Sequence, residues 1–209
     1  MFTLDEGKLL VKTARLAIGT YLREGKLPTV PKVPQKLSEP HGVFVTLIKH
    51  GKLRGCIGHP VPTIPLINAL IDSAVSSATR DPRFSPVEPD ELSEVEIEVS
   101  VLSQPEPLKA KNPSDYPSLI VIGRDGLIVE RGGYAGLLLP QVPVEWGWDA
   151  EEFLSHACMK AGLTPDAWLN KNTRVQKFFA QVFREKKPGG EVGERKLVGE
   201  RKNATSSRC

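Results

Sequence analysis

Residues 95–101, Val-Glu-Ile-Glu-Val-Ser-Val, alternate apolar and polar side chains without a break. Successive side chains of a strand point to opposite faces, so this period of two predicts a strand with one buried face. The other face carries Glu96, Glu98 and Ser100. It is either a solvated sheet face, which alternation alone usually means, or a polar cleft wall able to hold a cation or move a proton.

The remaining elements follow from their own patterns. Leu10, Ala14, Ala17, Ile18, Tyr21 and Leu22 recur at helical spacing and predict a helix over 5–25, stopped by Gly25. Residues 42–48 and 52–57 flank a short turn at Lys49-His50-Gly51 and read as a β-hairpin. A helix over about 63–79 follows, with Thr63 as its cap, and Arg80–Pro86 ends it sharply. Residues 103–118 carry four prolines and link two subdomains. Residues 119–122 and 127–130 flank an Asp-Gly pair and predict a second hairpin. Leu137–Pro140 reads as a short buried strand. Asp149 opens a helix with Glu152 at capping-box spacing, and 173–183 fits a strand better than a helix because β-branched and aromatic residues dominate it. Helices and strands mix without regular βαβ alternation. That argues for an α+β fold around a largely antiparallel mixed sheet with flanking helices.

The basic pI of about 8.7 is a property of the C-terminus. From Arg184 to Cys209 there are eight Lys/Arg against four Asp/Glu, a balance of +4; the preceding residues hold 20 against 21, a balance of −1. A concentrated basic face on the fold, which nucleic-acid binding wants, is therefore not indicated, although the basic tail leaves weak, salt-sensitive adhesion open. Residues 186–209 are rich in Gly, Lys, Arg, Glu and Ser and are expected to be a disordered tail behind a domain spanning 1–185. No apolar run approaches the roughly 18 residues of a membrane span. The N-terminus shows no signal-peptide pattern, and Cys56, Cys158 and Cys209 are too few and too far apart for a disulfide framework. A reducing, cytoplasmic setting is expected.

The densest chemistry lies in Lys52–His59, which holds a thiol, a guanidinium and an imidazole between two glycines. On a regular strand Arg54 and Cys56 share a face, and a guanidinium beside a thiol favours the thiolate. Gly55 and Gly58 would let a substrate approach and expose backbone N–H groups to an oxyanion. The competing reading is a small cysteine packed against a sheet. None of His41, His50, His59 and His156 has a recognisable spacing as its base. Cys56/His59 has a chelating gap, but His156 and Cys158 lie two apart on a helix and do not share a face, so no metal site is expected. Asp81 and Arg83 either bind a polar ligand or fix the turn after the second helix. Trp146 and Trp148 beside Glu145 and Asp149 form either a ligand shelf or a packed junction. The glycines of 123–136 match no phosphate loop or dinucleotide fingerprint, and no cofactor is implied.

Leu53-Arg54-Gly55-Cys56-Ile57-Gly58, Asp81-Pro82-Arg83-Phe84-Ser85-Pro86, Val99–Ser103, Gly136–Val142, Trp148-Asp149 and Cys158–Leu163 occur in an order that resembles the AMMECR1 family over roughly residues 5–185. The resemblance implies an α+β protein with a large and a small part around a cleft. It implies no settled activity. Prokaryotic relatives often sit beside a Memo-like protein, which the resemblance offers as a partner. His59 departs from the family pattern, which more often has a small hydroxyl residue there, and so drops out as an essential group. Two function classes stand. One is a cytosolic enzyme on a small anionic substrate, with Cys56 as nucleophile, Arg54 orienting the anion, and Gly55, Gly58, Asp81, Arg83 and Glu98 binding the ligand. The other is a non-catalytic binding or regulatory module for a protein or RNA partner.

Overall fold

The computed structural model describes residues 1–195. In chain order the elements are α1 (Leu4–Glu24), β1 (Val43–Lys49), β2 (Lys52–His59), α2 (Leu66–Thr79), β3 (Val95–Leu102), β4 (Glu106–Pro107), β5 (Asp125–Arg131), β6 (Tyr134–Leu138), α3 (Gln141–Trp146), α4 (Ala150–Lys160), β7 (Arg174–Glu185) and β8 (Val192–Arg195). Every strand pairing is antiparallel, so the fold is α+β. The chain forms two compact units: Met1–Gln104 with Ala180–Arg195, and Pro105–Phe179. The twelve residues of β7 give their first half to the second unit and their second half to the first.

In the first unit the strand order is β2-β1-β3-β7, with β8 beyond β7. His50 and Gly51 both have positive φ (50° and 75°), the geometry of a two-residue turn whose twist matches its strands. Val43, Val45, Leu47, Ile97, Val99 and Phe183 enter one core with the apolar stripes of α1 and α2. Gly7 of α1 sits so close to the Phe183 ring that a Cβ there would lie 2.1 Å from it. α1 is capped at both ends: Thr3 and Glu6 form a capping box, and Gly25 closes it in the left-handed region.

The second unit packs α4 against the β5–β6 hairpin. Leu127, Val129, Phe153, Leu154, Ala157 and Trp168 are its core. Gly136 allows the approach, because a Cβ there would stand 2.4 Å from the Ala161 nitrogen. The Asp149–Glu152 capping box is present as the spacing predicts.

Four local expectations are corrected. The hairpin of this unit turns at Gly132-Gly133 (φ 58° and 85°) and pairs β5 with β6; residues 113–119 are a 3-10 helix, so the Asp125-Gly126 pair begins a strand. Asp125 closes the preceding turn by accepting the Val121 N–H at 2.9 Å. Residues 134–138 are a mostly exposed or half-buried strand where a buried one over 137–140 is expected. Thr63 does not cap α2, which begins after Pro65 without a side-chain cap. The chain beyond 185 is not uniformly disordered: Val192–Arg195 pair with β7, and Val192 is buried. Its apolar side chain and the Arg195–Glu98 ion pair hold it there. The rest of the expected tail, 196–209, lies outside the described residues. Among the described residues no helix is long and apolar enough to cross a membrane.

Candidate functional site

β2 is the edge strand of the first unit, and its pairing with β1 slips by one residue at Leu47/Ile48. Ile48 faces Leu53 and Leu47 faces Gly55, which leaves Arg54 as the extra residue of a β-bulge. The bulge breaks the alternation from which Arg54 and Cys56 are expected to act together. Arg54 instead grips Glu91 with two hydrogen bonds, from Nε (2.7 Å) and Nη2 (3.0 Å). It also donates to the carbonyls of Ser85 (2.8 Å) and Pro86 (3.3 Å). The guanidinium holds the Glu91 carboxyl down at about 2, with Lys49 assisting. Arg54 thus ties the bulge to the loop before β3, with four of its five N–H donors engaged.

The guanidinium beside Cys56 belongs to Arg83. Asp81, buried at the end of α2, accepts the Cys56 backbone N–H at 2.8 Å. Arg83 chelates the same carboxylate through Nε (2.9 Å) and Nη2 (2.7 Å), and Nη2 also reaches the Cys56 carbonyl at 3.3 Å. Together they satisfy the donor and acceptor that an edge strand leaves unpaired. Arg83 and these backbone bonds hold the Asp81 carboxyl down at about 2.

The Cys56 side chain receives the Thr46 hydroxyl at 3.3 Å. Burial pushes its thiol up from the ordinary value. The Asp81 and Glu98 carboxylates add to this, while Thr46 and Arg83 pull the other way. The thiolate that Arg54 is expected to stabilise is therefore disfavoured.

Cys56, Thr46, Glu98 and Arg184 stand opposite one another across four strands, so their side chains share the sheet face turned away from α1 and α2. That face is not simply solvated: Glu98 is 3% exposed and Ser100 is fully buried. Arg195 of β8 reaches Glu98 at 3.2 Å, and Arg184 bonds Glu96 at 2.7 Å.

The glycines of the motif are there for packing. A Cβ on Gly55 would meet the Ser77 carbonyl oxygen of α2 at 2.2 Å, and one on Gly58 would meet the Phe44 ring at 2.4 Å. On the Cβ side of both glycines the space is filled by the protein itself. His59 binds Asp72 at 2.7 Å, His50 binds Glu94 at 3.1 Å, and His41 meets the Phe2 ring edge-on. Among the described residues no three His, Cys, Asp or Glu side chains converge as a metal-ligand group.

Beside Arg54 opens a groove of about 550 Å³ lined by Lys49, Arg54, Phe84, Ser85, Glu88, Asp90, Glu91 and Glu94. Its wall is the Phe84 ring, with the Arg54 and Arg83 guanidiniums over it at 6.0 and 5.5 Å. Four carboxylates line the groove against Lys49 and Arg54, with Arg83 at the Phe84 wall, which leaves it weakly acidic. Sequence spacing singles out neither Glu91, 37 residues from its partner Arg54, nor Arg184 and Arg195, the partners of the β3 carboxylates.

An antiparallel α+β protein in which a Leu-Arg-Gly-Cys-Ile-Gly edge strand is braced by an Asp-Pro-Arg turn is the class that fold and site define. The AMMECR1 family model matches residues 11–183, and the chain belongs to that family. A protein of Methanothermobacter thermautotrophicus is 59% identical over 182 residues, covering 87% of this chain and 95% of its own. The Methanocaldococcus jannaschii protein MJ0810 is 50% identical, with 95% and 99% covered. The crystal structure of the uncharacterized protein PH0010 from Pyrococcus horikoshii superposes with a TM-score of 0.88 at 51% identity, over 91% of this chain and 97% of that one.

Proposed function

We propose that this protein is a non-catalytic binding module for another protein, with the groove beside Arg54 as its recognition surface. The observation that carries the reading is the commitment of Arg54: its guanidinium is bound to Glu91 and two loop carbonyls, so it is not offered to an anionic substrate. In this reading Leu53–Gly58, Asp81, Arg83 and Glu98 shape and brace the surface and react with nothing. The acidic groove repels a phosphate backbone, which favours a protein over RNA. A Memo-like protein, the partner implied by the family, fits the same reading.

The rival, a thiol enzyme, makes the opposite demand on Cys56. Iodoacetamide labelling of the folded protein, followed against pH with peptide mass mapping to separate Cys56 from the other cysteines, tells them apart. The binding reading expects a Cys56 midpoint above about 8.5, the free-thiol value. A midpoint clearly below that value would restore the nucleophile and defeat the proposal.

A further inference from the structure

The second unit carries a stack of three rings that the groove reading does not use. Trp146 ends α3, Gly147 turns the chain in the left-handed region (φ 71°), and the Trp148 N–H bonds back to the Pro143 carbonyl at 2.9 Å. This turn lays the two indoles in a stacked arrangement, centroids 6.0 Å apart and planes 17° from parallel. Trp148 in turn lies flat on the His156 ring of α4, at 3.7 Å and 2°. The inner indole packs against the core of this unit. The outer one, Trp146, is 71% exposed. A pair of tryptophans anchored at one end and bare at the other has the form of a platform awaiting a flat ligand.

The charge around the stack selects that ligand. No lysine or arginine occurs between Arg131 and Lys160, whereas Glu145, Asp149, Glu151 and Glu152 all fall within that stretch. Asp149 and Glu152 spend oxygens on the N-terminal amides of α4 but keep their negative charge. Glu152 precedes His156 by one helical turn on the same face of α4, and Lys160 follows it by one, so the carboxylates lie at the helix start and the one cation at its end. Indole faces also present the negative side of their quadrupole. Rings and carboxylates together repel phosphate and carboxylate ligands and attract a cation. A guanidinium meets both features at once, because it is planar, weakly hydrated, stacks on aromatic faces and donates in its own plane to carboxylates.

We propose that the Trp146–Trp148–His156 stack is a docking platform for an arginine side chain of a partner protein. The platform lies wholly within the second unit, and its test does not depend on the groove beside Arg54.

The experiment titrates the full chain with a capped Gly-Arg-Gly-Arg-Gly peptide, following tryptophan fluorescence and heat of binding, alongside Lys and Glu versions of the peptide. The arginine peptide should give a saturable change, bind about tenfold more tightly than the lysine peptide, and weaken with added salt. The glutamate peptide should not bind. Trp146→Ala, an exposed site whose loss leaves the core intact, should abolish the binding heat while circular dichroism stays unchanged. Glu151→Gln should weaken it about twofold, on the order of the loss of one partly screened charge. Arginine binding that survives Trp146→Ala would overturn the proposal. So would a dimer in sedimentation that Trp146→Ala dissolves, since a second copy would then cover the stack, and so would preferential binding of polyuridylate.

Discussion

Asp81 accepts four hydrogen bonds, one from the Cys56 amide and three from Arg83, with its side chain 2% exposed. Its folded pKa of about 2 lies below the ordinary 3.8. The associated stability is therefore fully present above the ordinary value and is lost as pH falls through the folded one. It amounts to about 2 kcal/mol. Urea unfolding at steps between pH 5 and pH 2 should show this loss, with Glu91 contributing in the same direction. Asp81→Asn should remove part of the pH dependence along with part of the stability. Gly55→Ala should be costly for a different reason: the new methyl meets a backbone carbonyl at 2.2 Å, and a helix backbone cannot swing aside as a side chain can. A loss of about 3 kcal/mol in urea unfolding is expected. At this scale the sequence singles out Arg54, Cys56, Asp81 and Arg83 but not the partner each one holds. Counting outward from the His50-Gly51 turn pairs Thr46 with Gly55. The bulge shifts Thr46 to Cys56 and takes Arg54 out of the alternation, and no residue pattern announces a bulge.

Elements whose signals are local are legible in the chain. The Asp149–Glu152 box satisfies backbone amides from within four residues, as its spacing predicts, and Gly25 ends α1 where the periodicity stops. Asp149→Ala should lower stability by about 1 kcal/mol through the lost cap of α4, measurable by urea unfolding. The second hairpin shows how a correct local rule can be applied to the wrong pair. Asp125-Gly126 satisfies the turn composition, yet Gly126 is small because the Phe178 ring lies 2.3 Å from where its Cβ would be. The turn belongs to Gly132-Gly133, where both residues need positive φ. Long-range packing and turn geometry ask for the same amino acid, and composition alone does not separate them. The alternation of β3 likewise fixes which residues share a face, but not that β8 would bring Arg195 over Glu98.

At the scale of the whole molecule, β7 is the strand through which both units are built, and β8 is the last of the described elements and pairs with it. Ending the chain at Glu185 should do more damage than loss of a surface tail. It removes Arg195 from Glu98 and uncovers the ground beneath Val192, so an unfolding temperature several degrees lower is expected by calorimetry. The motif strand has a further consequence at this scale. An exposed sheet edge invites another chain to add itself as the next strand, and proteins that persist in solution guard such edges. β2 is guarded twice, by the bulge at Arg54 and by the Asp81–Arg83 clamp that fills the hydrogen-bonding positions of Cys56. Arg83→Ala should leave the fold standing but raise light scattering on mild heating. Braced in this way, the strand from Leu53 to Gly58 offers an incoming chain no vacant hydrogen-bonding pair at Cys56.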